Sequence, residues 1–80
     1  MDDITLHERI NALSREEEAL YREANEGPLA PAQLDRLHAI ARELEQSWDL
    51  LRQRQALEAV GMDPDEAHLR PVELVEAYEQ

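Results

Sequence analysis

An apolar repeat between residues 34 and 51 constrains the fold of this chain more than any other feature. Apolar side chains recur there at alternating steps of three and four residues, at Leu34, Leu37, Ala41, Leu44, Trp48 and Leu51. This spacing is typical of a helix that packs lengthwise along another helix. The pattern predicts that these residues face a partner helix, with Trp48, the single tryptophan of the chain, in the interface.

A second stretch with the same spacing supplies the partner helix. Its apolar positions are Leu6, Ile10, Leu13, Leu20 and Ala24. Asp2 and Asp3 suit the start of this helix, because a carboxylate accepts bonds from the free N–H groups there. We therefore predict a helix over about 3–24. Glu17 occupies a position of the repeat that should be apolar, so we expect its carboxylate to reach water or an arginine.

Glycine and proline mark the connection between the two helices. Gly27 suits the left-handed position that ends many helices, and Pro31 suits the first turn of the next helix. We predict a turn over 25–30 and a second helix over about 31–60, ended by Gly61. So short a connection is typical of an antiparallel helical hairpin.

The second helix is longer than the first, so its end should extend past the start of the first helix. Three apolar residues in that region, Leu50, Leu57 and Val60, point well away from Trp48 on a helical projection. We predict that residues 61–80 form a tail with short helices over about 64–69 and 72–79. The second of these has an apolar face of its own, formed by Val72, Leu74, Val75 and Tyr78.

These surplus apolar faces predict a homodimer. A chain of 80 residues buries a small core, and small domains often gain stability by association. No cysteine is present to supply disulfides. We expect the interface to lie at about residues 50–60, with the tail packed within one chain or across the dimer.

Charge and composition exclude several classes of function. The net charge of −11 repels nucleic acid and anionic membrane surfaces, and no apolar run is long enough to cross a bilayer. We find no signal peptide and interpret the chain as a single-domain cytoplasmic protein.

No set of residues has the spacing of a catalytic, cofactor or metal site. His7, His38 and His68 are scattered, and the nearest approach to a carboxylate-rich metal site would combine Glu17 with His38. The helical pattern places His38 on the flank of the hairpin. We therefore predict no catalytic residue, no cofactor and no metal.

The richest stretch for binding begins at Trp48. An aromatic side chain close to two arginines is a composition typical of interaction hot spots. The candidate interaction residues are Trp48, Leu50, Arg52, Arg54, Leu57 and Val60. The alternative is that Trp48 lies in the core and that Arg52 pairs with acidic residues of its own helix.

This stretch also carries a family resemblance. The run Leu-Glu-Gln-Ser-Trp-Asp-Leu-Leu-Arg-Gln-Arg at 44–54, the run Asp-Pro-Asp-Glu-Ala at 63–67 and the pair Arg70-Pro71 resemble a small bacterial family catalogued as a domain of unknown function. The resemblance implies a complete small protein. No activity, cofactor or catalytic residue is assigned to that family, so the resemblance implies none here.

The sequence as a whole predicts an all-α fold, an antiparallel hairpin with a short C-terminal helical tail that dimerises into a bundle. We predict a non-enzymatic role in protein–protein interaction or assembly, as a homodimer or with an unknown protein partner. Two alternatives remain, a carboxylate-rich metal-binding bundle and an acidic mimic of nucleic acid that binds a basic partner.

Overall fold

The computed structural model describes residues 2–79, with the backbone alone for residues 76–79. It is helical without a strand over that range. The elements are α1 (Asp3–Glu26), α2 (Pro31–Ala59), a 3₁₀ turn (Pro64–Glu66) and α3 (Val72–Glu79). Two long helices packed together and a short C-terminal helix are thus as predicted. The side chain of Tyr78, which we expected on the apolar face of the tail, lies outside the described residues.

The helix ends follow from local hydrogen bonds. Asp2 caps α1 by accepting a bond from the Thr5 backbone N–H at 2.7 Å. Gly61 has a φ of 77° and ends α2, with the Met62 N–H donating to the Leu57 carbonyl at 2.8 Å. Gly27 differs from the prediction, because its φ of 167° is extended rather than left-handed.

Polar contacts between α1 and α2 show that the two helices are antiparallel. Arg9 pairs with Glu43 at 2.8 Å near one end of the hairpin. Closer to the turn, Arg36 Nε donates to Glu16 at 2.9 Å. These exposed ion pairs contribute little to stability, since solvent screens them and their long side chains must be ordered.

The free energy of folding therefore depends mainly on the apolar core between the helices. The buried cluster consists of Leu6, Ile10 and Leu13 from α1 and Ile40, Leu44, Leu50 and Leu51 from α2. Leu20 packs against it, and Glu17 is half-buried on the same face of α1. The predicted interior face of α1 is therefore correct from Leu6 to Leu20.

The predicted interior face of α2 is partly wrong. Leu44 and Leu51 are buried, but Ile40 and Ser47 lie in the interface in place of Ala41 and Trp48. Consecutive residues of a helix are about 100° apart, so moving the contact line by one residue turns Trp48 towards the outside. The two contact lines share Leu44 and Leu51, which is why the spacing alone did not separate them.

The C-terminal segment folds back onto α2 of its own chain. Only Pro64–Glu66 is helical in the first predicted tail helix, and residues 67–71 run without regular structure. Asp63 caps the 3₁₀ turn by accepting from the Asp65 N–H at 2.9 Å. Pro71 disfavours a helical conformation at the residue before it, which accounts for the break. Val75 of α3 is buried, but it lies outside the hairpin cluster.

Candidate functional site

The candidate interaction residues divide into two groups in the structure. Leu50 and Arg54 are buried within the chain, with 7% and 6% of their surface exposed. Trp48, Arg52 and Val60 are exposed, and Leu57 is half-buried. The six residues therefore do not form one surface.

Leu50 is covered by the chain's own tail. Ala67 packs against the core cluster that contains Leu50, and Leu69 lines the same cavity as Leu50. The apolar stripe that motivated the predicted dimer at residues 50–60 is thus covered at Leu50 and half-buried at Leu57 within a single chain. Val60 remains exposed at the end of α2.

A different apolar surface stays open on α2. Leu34 and Trp48 are 43% and 42% exposed, and Ala41 between them is also exposed. The three residues are seven positions apart, close to two helical turns, so they lie on nearly the same side of α2. We call Leu34, Ala41 and Trp48 the outer strip.

The outer strip belongs to α2, which has the smallest net charge of the three α-helices. α2 carries four arginines against five acidic residues, whereas α1 carries three arginines against seven. Residues 60–80 contain one arginine and six acidic residues. Most of the net charge of −11 therefore lies away from α2.

A different side of α2 holds the tail through polar side chains. Asp49 is 3% exposed and forms a bidentate ion pair with Arg70, whose Nε donates to Oδ2 at 2.8 Å. Gln53 donates to Asp49 and to the His68 carbonyl, both at 2.9 Å. Gln46 donates to the Arg70 carbonyl at 3.2 Å. We call Gln46, Asp49, Gln53 and Arg70 the polar clamp.

The clamp keeps Asp49 ionised. The Arg70 guanidinium lowers the pKa of this carboxyl below its ordinary value of 3.8, and the Gln53 amide adds to the effect against the opposing influence of burial. Arg70 in turn has its charge matched in a bidentate geometry that only arginine offers.

Arg54 forms a second attachment, between the start of the chain and the tail. Its Nε donates to Asp3 at 2.5 Å and its Nη1 donates to Asp65 at 3.0 Å and to the Pro64 carbonyl at 3.3 Å. The hydrogen bond from Arg54 lowers the pKa of Asp3, and the two carboxylates raise the pKa of Arg54. Arg54 is therefore a structural residue inside the fold.

Packing between the tail and the hairpin is incomplete. A cavity of about 340 Å³ is lined by Leu50, Arg54, Asp65, Ala67, His68 and Leu69. A second cavity of about 200 Å³ also touches Leu50 and Leu69. Leu69 itself is largely exposed. The tail is therefore loosely packed around Leu69, in contrast to Val75 further along the tail, which is 1% exposed.

The candidate metal ligands are not brought together. Asp35 and His38 are exposed on parts of α2 turned away from α1, while Glu17 faces the interior. Among the residues with described side chains, no three histidine or acidic residues are close enough to hold a metal ion.

The sequence interpretation missed the polar clamp. A signal was present, because Gln46, Asp49 and Gln53 recur at steps of three and four and mark one side of α2. Arg70 was singled out only within the pair Arg70-Pro71, as part of the family resemblance. Its partner lies 21 positions earlier in the chain, a separation that no local pattern reveals.

Comparison with known proteins places the chain in a family. A family model described as "Protein of unknown function (DUF2630)" matches residues 2–80. The chain belongs to DUF2630. The resemblance seen from residue 44 onwards is thereby confirmed at the level of the family.

Mycobacterial proteins are similar to this DUF2630 chain. "Uncharacterized protein Rv0898c" of Mycobacterium tuberculosis (strain ATCC 25618 / H37Rv) is 44% identical over 70 residues, covering 86% of this chain and 80% of the relative. "Uncharacterized protein Mb0922c" of Mycobacterium bovis is similar to the same extent. No solved structure matches this DUF2630 chain. In residues 2–79, no helix has the length and hydropathy that a membrane crossing requires.

Proposed function

We propose that this protein acts without catalysis, as a protein–protein interaction module that docks through the outer strip of α2. The observation that carries the proposal is the exposure of both Trp48 and Leu34 on nearly the same side of a long helix. A tryptophan loses little conformational entropy on binding and offers a large contact area, which is why tryptophan is enriched at interaction hot spots.

The distribution of charge also favours the outer strip as the docking surface. Interface centres are depleted in charged residues, and the outer strip lies on the helix whose charges nearly balance. Arg52 follows Trp48 by one helical turn and is exposed, so it would stand at the polar rim of the contact. The proposal requires a partner that presents an apolar surface to the outer strip.

Neither alternative has a specific observation in its favour. A metal-binding bundle would need Glu17 and His38 on one side of the hairpin, and His38 is exposed on the other side of α2. A mimic of nucleic acid would need acidic side chains at regular intervals on one surface, and Glu16 and Asp49 are instead paired with arginines of the same chain.

Photo-crosslinking in the native cell tests the proposal. A photoreactive amino acid at Ala41 should give discrete adducts, whether with a copy of the chain or with another protein. The matched control carries the same amino acid at Ala39, which is exposed on the other side of α2. Adducts that form equally at both positions, or at neither, would refute the outer strip as a docking face.

A further inference from the structure

We propose that the outer strip binds the outer strip of a second copy, with the two α2 helices antiparallel about a two-fold axis at Ala41. This inference rests on the proposed function and deepens it by naming the partner. It also moves the dimer contact away from residues 50–60, where the tail covers Leu50.

The symmetry of the strip supports an antiparallel pair. Leu34 and Trp48 each lie seven residues from Ala41, so an antiparallel pairing places each Leu34 against the partner's Trp48 and the two Ala41 residues against each other. The distance between two packed helices depends on the side chains at the contact. Each end of the contact then pairs one Leu34 with one Trp48. The small Ala41 side chains at the centre let the two helices approach closely. A parallel pair would instead place the two tryptophans at one end and the two leucines at the other.

Charge favours a second copy over a strongly basic partner. A basic protein would be drawn to α1 or to residues 60–80, where acidic residues far outnumber arginines. A second copy is repelled from those same regions and meets least repulsion where α2 faces α2. The outer strip lies on the helix with the smallest net charge, and this favours a second copy of the chain over a strongly basic partner.

The size of the strip sets the strength of the dimer. From Leu34 to Trp48 the strip spans about 21 Å along the helix, and a helix is about 10 Å wide. Two such surfaces fall below the area of a standard stable interface. We therefore expect a reversible dimer that forms with rising protein concentration.

Single-cysteine crosslinking tests this arrangement cleanly, because the chain has no cysteine of its own. A disulfide requires two Cα atoms within about 7 Å. Under mild oxidation, Ala41→Cys should form a covalent dimer. Ala39→Cys should stay monomeric, since it lies on the other side of α2. Leu34→Cys should also stay monomeric, because two such residues lie about 21 Å apart in an antiparallel pair.

Each alternative outcome has a definite meaning. Rapid dimer formation by Leu34→Cys would indicate a parallel pair and overturn the antiparallel arrangement. Equal crosslinking of Ala41→Cys and Ala39→Cys would indicate random collision and overturn the proposal.

Sedimentation equilibrium provides an independent test with the native chain. Wild type should move from a mass of 9.2 kDa towards twice that mass as its concentration rises into the high micromolar range. Added salt should shift the transition to lower concentration, since it screens the repulsion between two acidic chains. Trp48→Glu should weaken dimerisation at least tenfold, whereas Ala39→Glu, with the same added charge, should not.

Failure of this inference is separable from failure of the proposed function. A wild type that stays at 9.2 kDa at the highest concentration overturns the second copy as partner. If Ala41 still crosslinks to another protein in the cell, the docking face stands with a different occupant. If it crosslinks to nothing, both proposals fall.

Discussion

The two sides of α2 reverse the usual arrangement of a surface helix. On the side covered by the tail, polar residues are buried: Asp49 is almost inaccessible, and Gln53 bonds to the backbone of residue 68. On the outer strip, the apolar side chains of Leu34 and Trp48 meet solvent. The apolar spacing marked only Leu50 on the covered side, because the tail is also held there by hydrogen bonds and by the ion pairs of Asp49 with Arg70 and of Arg54 with Asp65.

The two sides also differ in what a partner could do. A bonded carboxylate fixes one position of one arginine, so the clamp specifies where the tail lies. An apolar strip is non-directional and accepts any surface of suitable shape. The clamp is suited to a permanent contact within the chain and the strip to a contact that forms and dissociates.

The largest effect should come from the buried contact line of α2. Ile40→Ala removes a fully buried side chain and should lower the free energy of unfolding by about 2–5 kcal/mol. Trp48→Ala removes a larger but half-exposed side chain and should cost much less at a concentration where the protein is monomeric. Urea unfolding of both variants checks the comparison, and a greater loss for Trp48→Ala would contradict the observed register.

Breaking the polar clamp should have the next largest effect. Asp49→Ala leaves Arg70 and Gln53 without their buried partner and should cost about 1–3 kcal/mol. Amide hydrogen exchange should show the loss first at residues 67–75, because the hairpin core does not include them. Asp35→Ala, which removes an exposed carboxylate from the same helix, is the control and should change little.

Acid should remove the stabilisation that the ion pair between Asp49 and Arg70 gives to the wild type. The pKa of Asp49 is lowered in the fold, so its ion pair stabilises the protein above the ordinary carboxyl pKa of 3.8 and is lost as the pH falls through the lowered value. The difference in melting temperature between wild type and Asp49→Asn should therefore be constant near neutral pH and shrink below pH 3.8. A difference that grows on acidification would have the wrong sign for this mechanism.

The smallest effect should come from Glu17, the acidic residue on the inner face of α1. Glu17→Leu extends the core line at a half-buried position and should raise the free energy of unfolding by about 1 kcal/mol. Thermal unfolding followed by circular dichroism checks this, with Glu18→Leu on the exposed side of α1 as the control. A loss of stability in Glu17→Leu would give the native carboxylate a structural role.

The sequence predicted the helical hairpin because α1 has a single apolar face. Leu6, Ile10 and Leu13 fit one repeat and no other, and the structure buries all three. α2 carries two overlapping repeats that share Leu44 and Leu51. The more apolar repeat contains Trp48, whereas the repeat that faces α1 contains Ser47, so hydropathy favoured the wrong one.

The candidate site was less predictable than the fold. Arg54 fits a binding hot spot by composition, and its actual partners, Asp3 and Asp65, lie 51 and 11 positions away in the chain. Whether an arginine binds a partner protein or bonds within its own chain depends on which carboxylates the tertiary structure brings near it. For Arg54 that information is absent from the local sequence.

The way in which Arg54 joins the first and last parts of the chain has a consequence for truncated forms of the protein. A chain that stops just after α2 should keep the hairpin and the bond from Arg54 to Asp3, but it lacks Asp65 and Arg70. Asp49 then has no ion-pair partner, and Leu50 loses the cover of the tail. Such a product should aggregate through Leu50 and be a ready target for proteolysis.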